Sequence, residues 1–150
     1  MPEVVNTAVI QAPAARVFDF IAQAERNAEW VPDLQRSERL TDGPTRVGTR
    51  FRFSSRIAGI PIDVTDEVTA FEPHRLIAFA GVSGPPHAGS WVFEPIEDGA
   101  GQPATRVTYR MAFDLPPGIG PFVAKMLDIP RRLDEQSLAC LRNLRRFLET

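Results

Sequence analysis

Between Leu34 and Leu115 the chain alternates apolar and polar residues, and this alternation most limits the folds open to it. A period of two is typical of β-strands that bury one face. Turn-forming sequences rich in glycine, proline and aspartate divide the region into six strands. The chain has fourteen prolines, which fits this division because helical bundles cannot hold so many inside their helices. The predicted strands are 34–41, 49–57, 60–71, 75–82, 88–96 and 105–115.

The flanking segments supply one more strand and the helices. Residues 3–11 predict a first strand that stops at Pro13, and two short helical segments follow, the second over 24–30. From Phe122 to Leu148 apolar residues recur at helical spacing, which predicts a long amphipathic helix that Pro130 kinks or divides. The 150 residues therefore predict one α+β domain, with a seven-stranded antiparallel sheet curved around the C-terminal helix and two short helices between strands 1 and 2.

The hairpin through Ala58-Gly59 indicates which side chains face this helix. If the residue numbers of each cross-strand pair sum to 117, Phe51 lies opposite Asp66 and Phe53 lies opposite Val64 on the inner face. Arginines and carboxylates then occupy the other face, as on a solvated surface. By the same alternation, the inner-face residues of the last strands are Trp91, Phe93, Tyr109, Met111 and Phe113.

Three stretches carry a family resemblance: IQAPAARVFDFIAQAERNAEWVPD, DEVTAFEPHRLIAF and GSWVFEPIEDGAGQPATRVTYRM. Together with the element order, they resemble the START-like (SRPBCC) superfamily, and within it the polyketide cyclase/dehydrase and lipid-transport group. The resemblance covers essentially the whole chain. It implies a helix-grip fold with a deep pocket between the sheet and the last helix for an apolar or polyaromatic ligand. It implies no fixed set of catalytic residues, because the group includes carriers, cyclases and hydrolases.

We expect this pocket to be walled by the inner face of the sheet and the last helix, with a flexible entrance loop at Gly118–Gly120. Apolar walls with a few polar groups suit a lipid, a polyketide or an aromatic metabolite. Trp30 either forms part of the rim or closes the short helices onto the sheet. The expected lining is Phe51, Phe53, Val64, Asp66, Trp91, Phe93, Tyr109, Met111, Phe113, Phe122, Met126 and Leu133.

Two polar residues are the candidates for chemistry. Asp66 on the inner face would orient a ligand hydroxyl or act as a general base, whereas a bulge near Thr65 would turn it outward as a surface charge. Tyr109 would polarise a ketone or donate a proton, or is simply a core aromatic whose hydroxyl bonds to backbone or water. Cys140, on the apolar side of the helix, is expected to be a buried, inert thiol.

Charge and motif content exclude several function classes. The net charge is -2, so the chain has no excess of positive charge for binding nucleic acid. With two histidines and one cysteine, no standard metal or nucleotide motif can be written, so no cofactor and no metal is expected. The chain lacks an apolar stretch of about 18 residues, which predicts a cytoplasmic protein without a membrane span.

Three functions remain open. The first is binding of a hydrophobic small molecule, and the second is an enzyme of the polyketide cyclase or dehydratase type that uses the same pocket. The third is a protein-interaction module, which would bind through a sheet edge or through Arg142, Arg145 and Arg146 at the end of the last helix. The sequence leaves the ligand, the reaction and the choice between monomer and homodimer open.

Overall fold

The computed structural model describes residues 3–57, 59–114 and 120–149, and these contain seven strands in one antiparallel sheet. Each predicted strand is present and ends within two residues of its predicted position, except that Leu115 lies outside the described residues. The strands are β1 (Glu3–Ile10), β2 (Leu34–Arg39), β3 (Arg50–Ile57), β4 (Ile60–Glu72), β5 (Leu76–Ser83), β6 (His87–Glu97) and β7 (Pro103–Phe113). Their order across the sheet is β1-β7-β6-β5-β4-β3-β2.

The helices follow the predicted order. Helix α1 (Ala14–Ala22) and a 3₁₀ helix (Ala24–Glu29) connect β1 to β2, and α2 (Pro121–Leu127) and α3 (Ile129–Leu148) close the chain. Apart from Gly120, the predicted entrance loop at Gly118–Gly120 lies outside the described residues.

The terminal helix is divided in two, but the break is at Asp128 rather than at Pro130. Asp128 has a φ of 53° and a ψ of 46°, a left-handed conformation that cannot continue a right-handed helix. Pro130 then lies in the first turn of α3, where its missing N–H removes no intrahelical hydrogen bond.

The predicted hairpin register is confirmed. Phe51 pairs with Asp66, Phe53 with Val64 and Ser55 with Ile62. The outer face carries cross-strand ion pairs, such as that of Arg50 with Glu67 at 3.0 Å. Exposed pairs of this kind contribute little stability, typically about 0–1 kcal/mol each. They show that the arginines of β3 point to the outer face, while its phenylalanines point to the inner face.

The core lies between the inner face of the sheet and two helices. From α1, Val17, Phe18 and Ile21 are buried. Phe18 packs edge-on against Phe93, with ring centroids 5.3 Å apart. The buried apolar residues of α3 are Ile129, Cys140, Leu141, Leu144 and Leu148.

Hydrogen bonds fix α3 over the sheet along its length. Near its start, Asn6 of β1 donates to Asp134 at 3.0 Å and to Ser137 at 3.1 Å. In its second half, Asn143 donates to the carbonyl of Trp30 at 2.7 Å. The guanidinium of Arg145 donates to the carbonyl of Val9, so this arginine stabilises the helix position.

Leu144→Ala should lower the free energy of unfolding by about 2–5 kcal/mol, because the Leu144 side chain has no exposed surface and its removal leaves a cavity. Leu138→Ala is the matched control on the same helix, since Leu138 is 39% exposed, and it should cost less than about 1 kcal/mol. Urea unfolding followed by circular dichroism measures both. Equal losses would contradict the burial of Leu144 in the core.

Candidate functional site

A row of five residues crosses the inner face of the sheet. Phe51 of β3 pairs with Asp66 of β4, and Asp66 pairs with Gly81 of β5. On the far side of β5, His87 of β6 pairs with Phe113 of β7. The row therefore has one position without a side chain, and that position lies between Asp66 and His87.

The imidazole of His87 occupies the space above Gly81. A Cβ atom at position 81 would lie 2.6 Å from Nδ1 of His87, closer than real contacts allow. Strands two apart in a sheet are separated by about 10 Å, so side chains on them meet only where the strand between leaves room. Gly81 leaves that room, and His87 Nε2 forms a hydrogen bond with Oδ1 of Asp66 across it.

The irregularity near Thr65 does not turn Asp66 outward. Thr65 pairs with Ser83 and Asp66 pairs with Gly81, so Val82 of β5 is the extra residue. Because β4 itself stays regular at this point, Asp66 keeps its inner-face position and its side chain is only 10% exposed.

The hydrogen bonds of His87 define how the pair holds its proton. Nδ1 lies 2.7 Å from the carbonyl oxygen of Pro85, which can only accept, so Nδ1 carries a proton. Nε2 faces a carboxylate oxygen, so one further proton is needed between Nε2 and Asp66 Oδ1. The pair is therefore either an imidazolium with a carboxylate or a neutral imidazole with a carboxylic acid.

The pKa of His87 is raised above its usual 6.5. Burial acts to lower this pKa, but the hydrogen bond and charge of Asp66, with the carbonyl of Pro85, together outweigh burial. The hydrogen bond and charge of Asp66 thus favour the protonated form of His87.

Tyr109 is the second polar residue of the site. Its ring stacks on Trp91, with centroids 4.1 Å apart and planes 20° from parallel. Among the described residues its hydroxyl has no hydrogen-bond partner. Burial, with the nearby Cys140 and Asp66, raises the pKa of Tyr109, so the hydroxyl keeps its proton.

Asp66, His87 and Tyr109 line a cavity of about 230 Å³ between the sheet and α3. Its walls are mostly apolar and rich in aromatic rings from the strands, including Phe51, Phe53, Phe79, Trp91 and Phe113. Ile21, Asn27 and Val31 close one side, and Ile129, Leu133, Gln136 and Cys140 of α3 cover it.

Nine of the twelve residues expected to line the pocket do line this cavity. Their contact with a ligand remains a prediction. They are Phe51, Phe53, Val64, Asp66, Trp91, Tyr109, Met111, Phe113 and Leu133.

The other three lie elsewhere. Phe93 is on the inner face, but it is buried against Phe18 of α1 and so belongs to the core. Phe122 and Met126 are on α2 and are 75% and 71% exposed. The break at Asp128 separates α2 from α3, so the helical spacing that joined these residues to the inner face of the terminal helix does not continue through them.

Cys140 and Trp30, which the sequence analysis also singled out, are both buried. Cys140 is buried at the cavity wall, where burial, with a smaller contribution from the charge of Asp33, raises its pKa to about 12, so the thiol is not a nucleophile at neutral pH. Trp30 is 3% exposed and packs near Trp91 and Phe20, so it closes the short helices onto the sheet.

Sequence reasoning missed His87 and Gly81. The alternation that places Trp91 and Phe93 inward also places Gly89 and His87 inward, so the signal for His87 was present. No similar signal indicated that Asp66 would reach His87, because β4 and β6 are not adjacent and the contact across them depends on β5.

Residues 1–149 match the family described as polyketide cyclase / dehydrase and lipid transport. The chain belongs to this family. The family resemblance predicted from the sequence is thus confirmed, and so is the helix-grip fold.

Solved structures of this polyketide cyclase-type fold superpose over nearly the whole chain. The TTHA0849 protein of Thermus thermophilus has a TM-score of 0.79 and 21% identity, over 97% of this chain and 95% of that one. A START superfamily protein of Mycobacterium smegmatis has a TM-score of 0.72 and 16% identity, over 98% of this chain and 97% of that one. The Zhui aromatase/cyclase of a Streptomyces species has a TM-score of 0.75 and 19% identity, over 99% of this chain and 93% of that one.

A curated relative, the uncharacterized protein Rv0088 of Mycobacterium tuberculosis, is 28% identical over 88 residues. These are 58% of this chain and 38% of that protein, so the chain spans well under half the length of this relative.

Within the described residues, no helix combines the length and apolarity needed to cross a bilayer. Nor do three or more histidine, cysteine, aspartate or glutamate side chains in that part of the chain lie together in a way that could hold a metal ion.

Gly81→Ala should separate His87 from Asp66, because the new methyl group and the imidazole cannot share one space. The pKa of His87, followed by NMR titration of its ring protons, should fall, and the free energy of unfolding should drop. Gly99→Ala is the control, since a Cβ there meets no atom within 4 Å. An unchanged His87 titration in Gly81→Ala would contradict the proposed geometry.

The raised pKa of His87 also predicts a pH dependence of stability. A histidine whose pKa is higher in the folded state contributes its full stabilisation below about pH 6.5 and loses it as pH rises through the folded-state value. The free energy of unfolding should therefore decline from pH 6.5 upward. Asp66→Asn should flatten this decline, and urea unfolding at a series of pH values measures both proteins.

Proposed function

We propose that the protein binds a hydrophobic, aromatic small molecule in the cavity between the sheet and α3. The observation that carries this proposal is a mostly apolar cavity of about 230 Å³ between the sheet and α3, lined by aromatic rings. Protein interiors are normally close-packed, so a void of this size forgoes contacts that a guest would restore. Membership of a family that includes lipid-transport and cyclase proteins supports the proposal.

The size and shape of the walls favour a compact, flat ligand. Pockets for drug-sized molecules range from about 300 to 1,000 Å³, so this cavity suits a ligand of two fused rings better than a long chain. The stacked rings of Trp91 and Tyr109 offer a flat surface for such a ligand.

Phe113→Ala should weaken the binding of 2-methoxynaphthalene by about tenfold, because it removes a buried aromatic wall. Phe122→Ala should leave the affinity unchanged, because Phe122 lies outside the cavity. Protein-observed NMR titration measures both, and native mass spectrometry of freshly purified protein tests for a retained guest. No binding of this probe by the unmodified protein would refute the proposal.

A second candidate function is supported by one observation, the His87–Asp66 pair beside the Tyr109 hydroxyl. An ionised Asp66 would remove a proton from the carbon next to a ligand carbonyl. The C–H electron pair would form the double bond of an enolate, whose oxygen would accept a hydrogen bond from Tyr109. Such a step belongs to enzymes of the cyclase or dehydratase type.

Hydrogen–deuterium exchange at the α-carbon of 2-tetralone, followed by NMR in D₂O, tests for this proton transfer. The unmodified protein should accelerate exchange, and Asp66→Asn should remove about 100-fold or more of that acceleration. Affinity for 2-methoxynaphthalene should stay within about tenfold, or roughly 1.4 kcal/mol, which separates chemistry from binding. A carrier would show binding without exchange.

A further inference from the structure

Asp66 has two carboxylate oxygens with different surroundings. Oδ1 is engaged by His87. Oδ2 has no hydrogen-bond partner among residues 3–57, 59–114 and 120–149, and Asp66 lines the cavity. The fully buried polar side-chain atoms without a partner in this part of the chain are Asn27 Oδ1 and Trp30 Nε1, so Oδ2 is accessible and can accept a hydrogen bond from a molecule in the cavity.

Oδ2 accepts hydrogen bonds wherever the proton of the pair lies. If the proton is on His87, Asp66 is a carboxylate and both of its oxygens accept. If the proton is on Asp66, it lies on Oδ1, between that oxygen and Nε2, and Oδ2 remains an acceptor. The ligand atom opposite Oδ2 must therefore be a hydrogen-bond donor.

Two other polar groups around the cavity use a donor within the protein. The Thr45 hydroxyl donates to the carbonyl of Ala22 at 2.7 Å, and Gln136 donates to the carbonyl of Pro32 at 2.7 Å. The Oδ1 atom of Asn27 is a buried acceptor with no partner in the described chain. Asp66 Oδ2 thus faces a guest as an acceptor, while the amides of Asn27 and Gln136 and the hydroxyls of Tyr109 and Ser55 can act in either role.

We propose that the ligand is a compact hydroxylated aromatic, a phenol or an enol, whose hydroxyl donates a hydrogen bond to Asp66 Oδ2. This inference rests on the proposed function, because it names the class of molecule for the same cavity. Asp114 also lines the cavity but is exposed, so water satisfies its carboxylate and Asp66 is the oxygen that selects the ligand.

Three bicyclic probes of similar size separate hydroxyl recognition from apolar binding. 2-Naphthol carries a donor, whereas 2-methoxynaphthalene and 2-tetralone carry only acceptors. The unmodified protein should bind 2-naphthol at least about tenfold more tightly than either of the others, as expected for a hydrogen bond to a charged group. Equal binding of all three would overturn this inference and leave the proposed function standing, whereas binding of none would overturn both.

Variants locate the preference at Asp66. Asp66→Leu removes the acceptor and should abolish the preference for 2-naphthol over 2-methoxynaphthalene. Glu67→Leu is the matched control, since Glu67 is the next residue on β4 and points to the outer face, where it pairs with Arg50. It should keep the full preference.

Asp66→Asn covers the case in which Asp66→Leu does not fold. Its amide N–H can donate to Nε2 of His87, which leaves the amide oxygen in the place of Oδ2. The preference should then persist but fall to a few-fold, because a neutral acceptor replaces a charged one. A full preference in either Asp66 variant would show that another group recognises the hydroxyl.

Discussion

The site depends on Gly81, which has no side chain. Asp66 and His87 lie on strands that are not neighbours, about 10 Å apart in an ordinary sheet, and they meet because Gly81 leaves the space between them empty. A carboxylate buried alone would be strongly destabilising. The hydrogen bond from His87 offsets part of that penalty and holds one oxygen of Asp66, which lines the cavity. A single residue without a Cβ thus connects the geometry of the sheet to the electrostatics of the site.

The cavity lies beneath the first half of α3, where Ile129, Leu133, Gln136 and Cys140 cover it. The second half of α3 packs through Leu141, Leu144 and Leu148. Hydrogen bonds of polar side chains also link the helix to β1 and to the segment after the 3₁₀ helix. The side chains of the sheet beneath the first half of α3 therefore leave a space between the two layers that they do not fill.

The strands and the register of the β3–β4 hairpin could be predicted from the sequence, because the sheet is antiparallel and strands adjacent in space are mostly adjacent along the chain. One hairpin was enough to place Asp66 opposite Phe51, since a period of two fixes the facing of every residue once one pair is known. The pairing with His87 could not be predicted in this way, because it passes over a third strand. Phe93 was misplaced for a related reason: facing inward does not distinguish the part of the sheet beneath α1 from the part beneath α3. Phe122 and Met126 were misplaced because helical spacing shows which residues share a face but not where a left-handed residue such as Asp128 ends the helix.

The hydroxyl preference inferred for Asp66 also connects the two candidate functions. A ketone and its enol differ by the position of one proton, and an acceptor such as Oδ2 favours the tautomer that carries an O–H. If the enol binds more tightly than the ketone by some factor, the bound equilibrium shifts toward the enol by the same factor. An enolisation catalyst needs this stabilisation together with a base that reaches the α-carbon. Because Oδ1 is held by His87, Oδ2 serves either as the acceptor of a ligand hydroxyl or as the base at the α-carbon, so the two functions use one atom with the ligand in two different orientations.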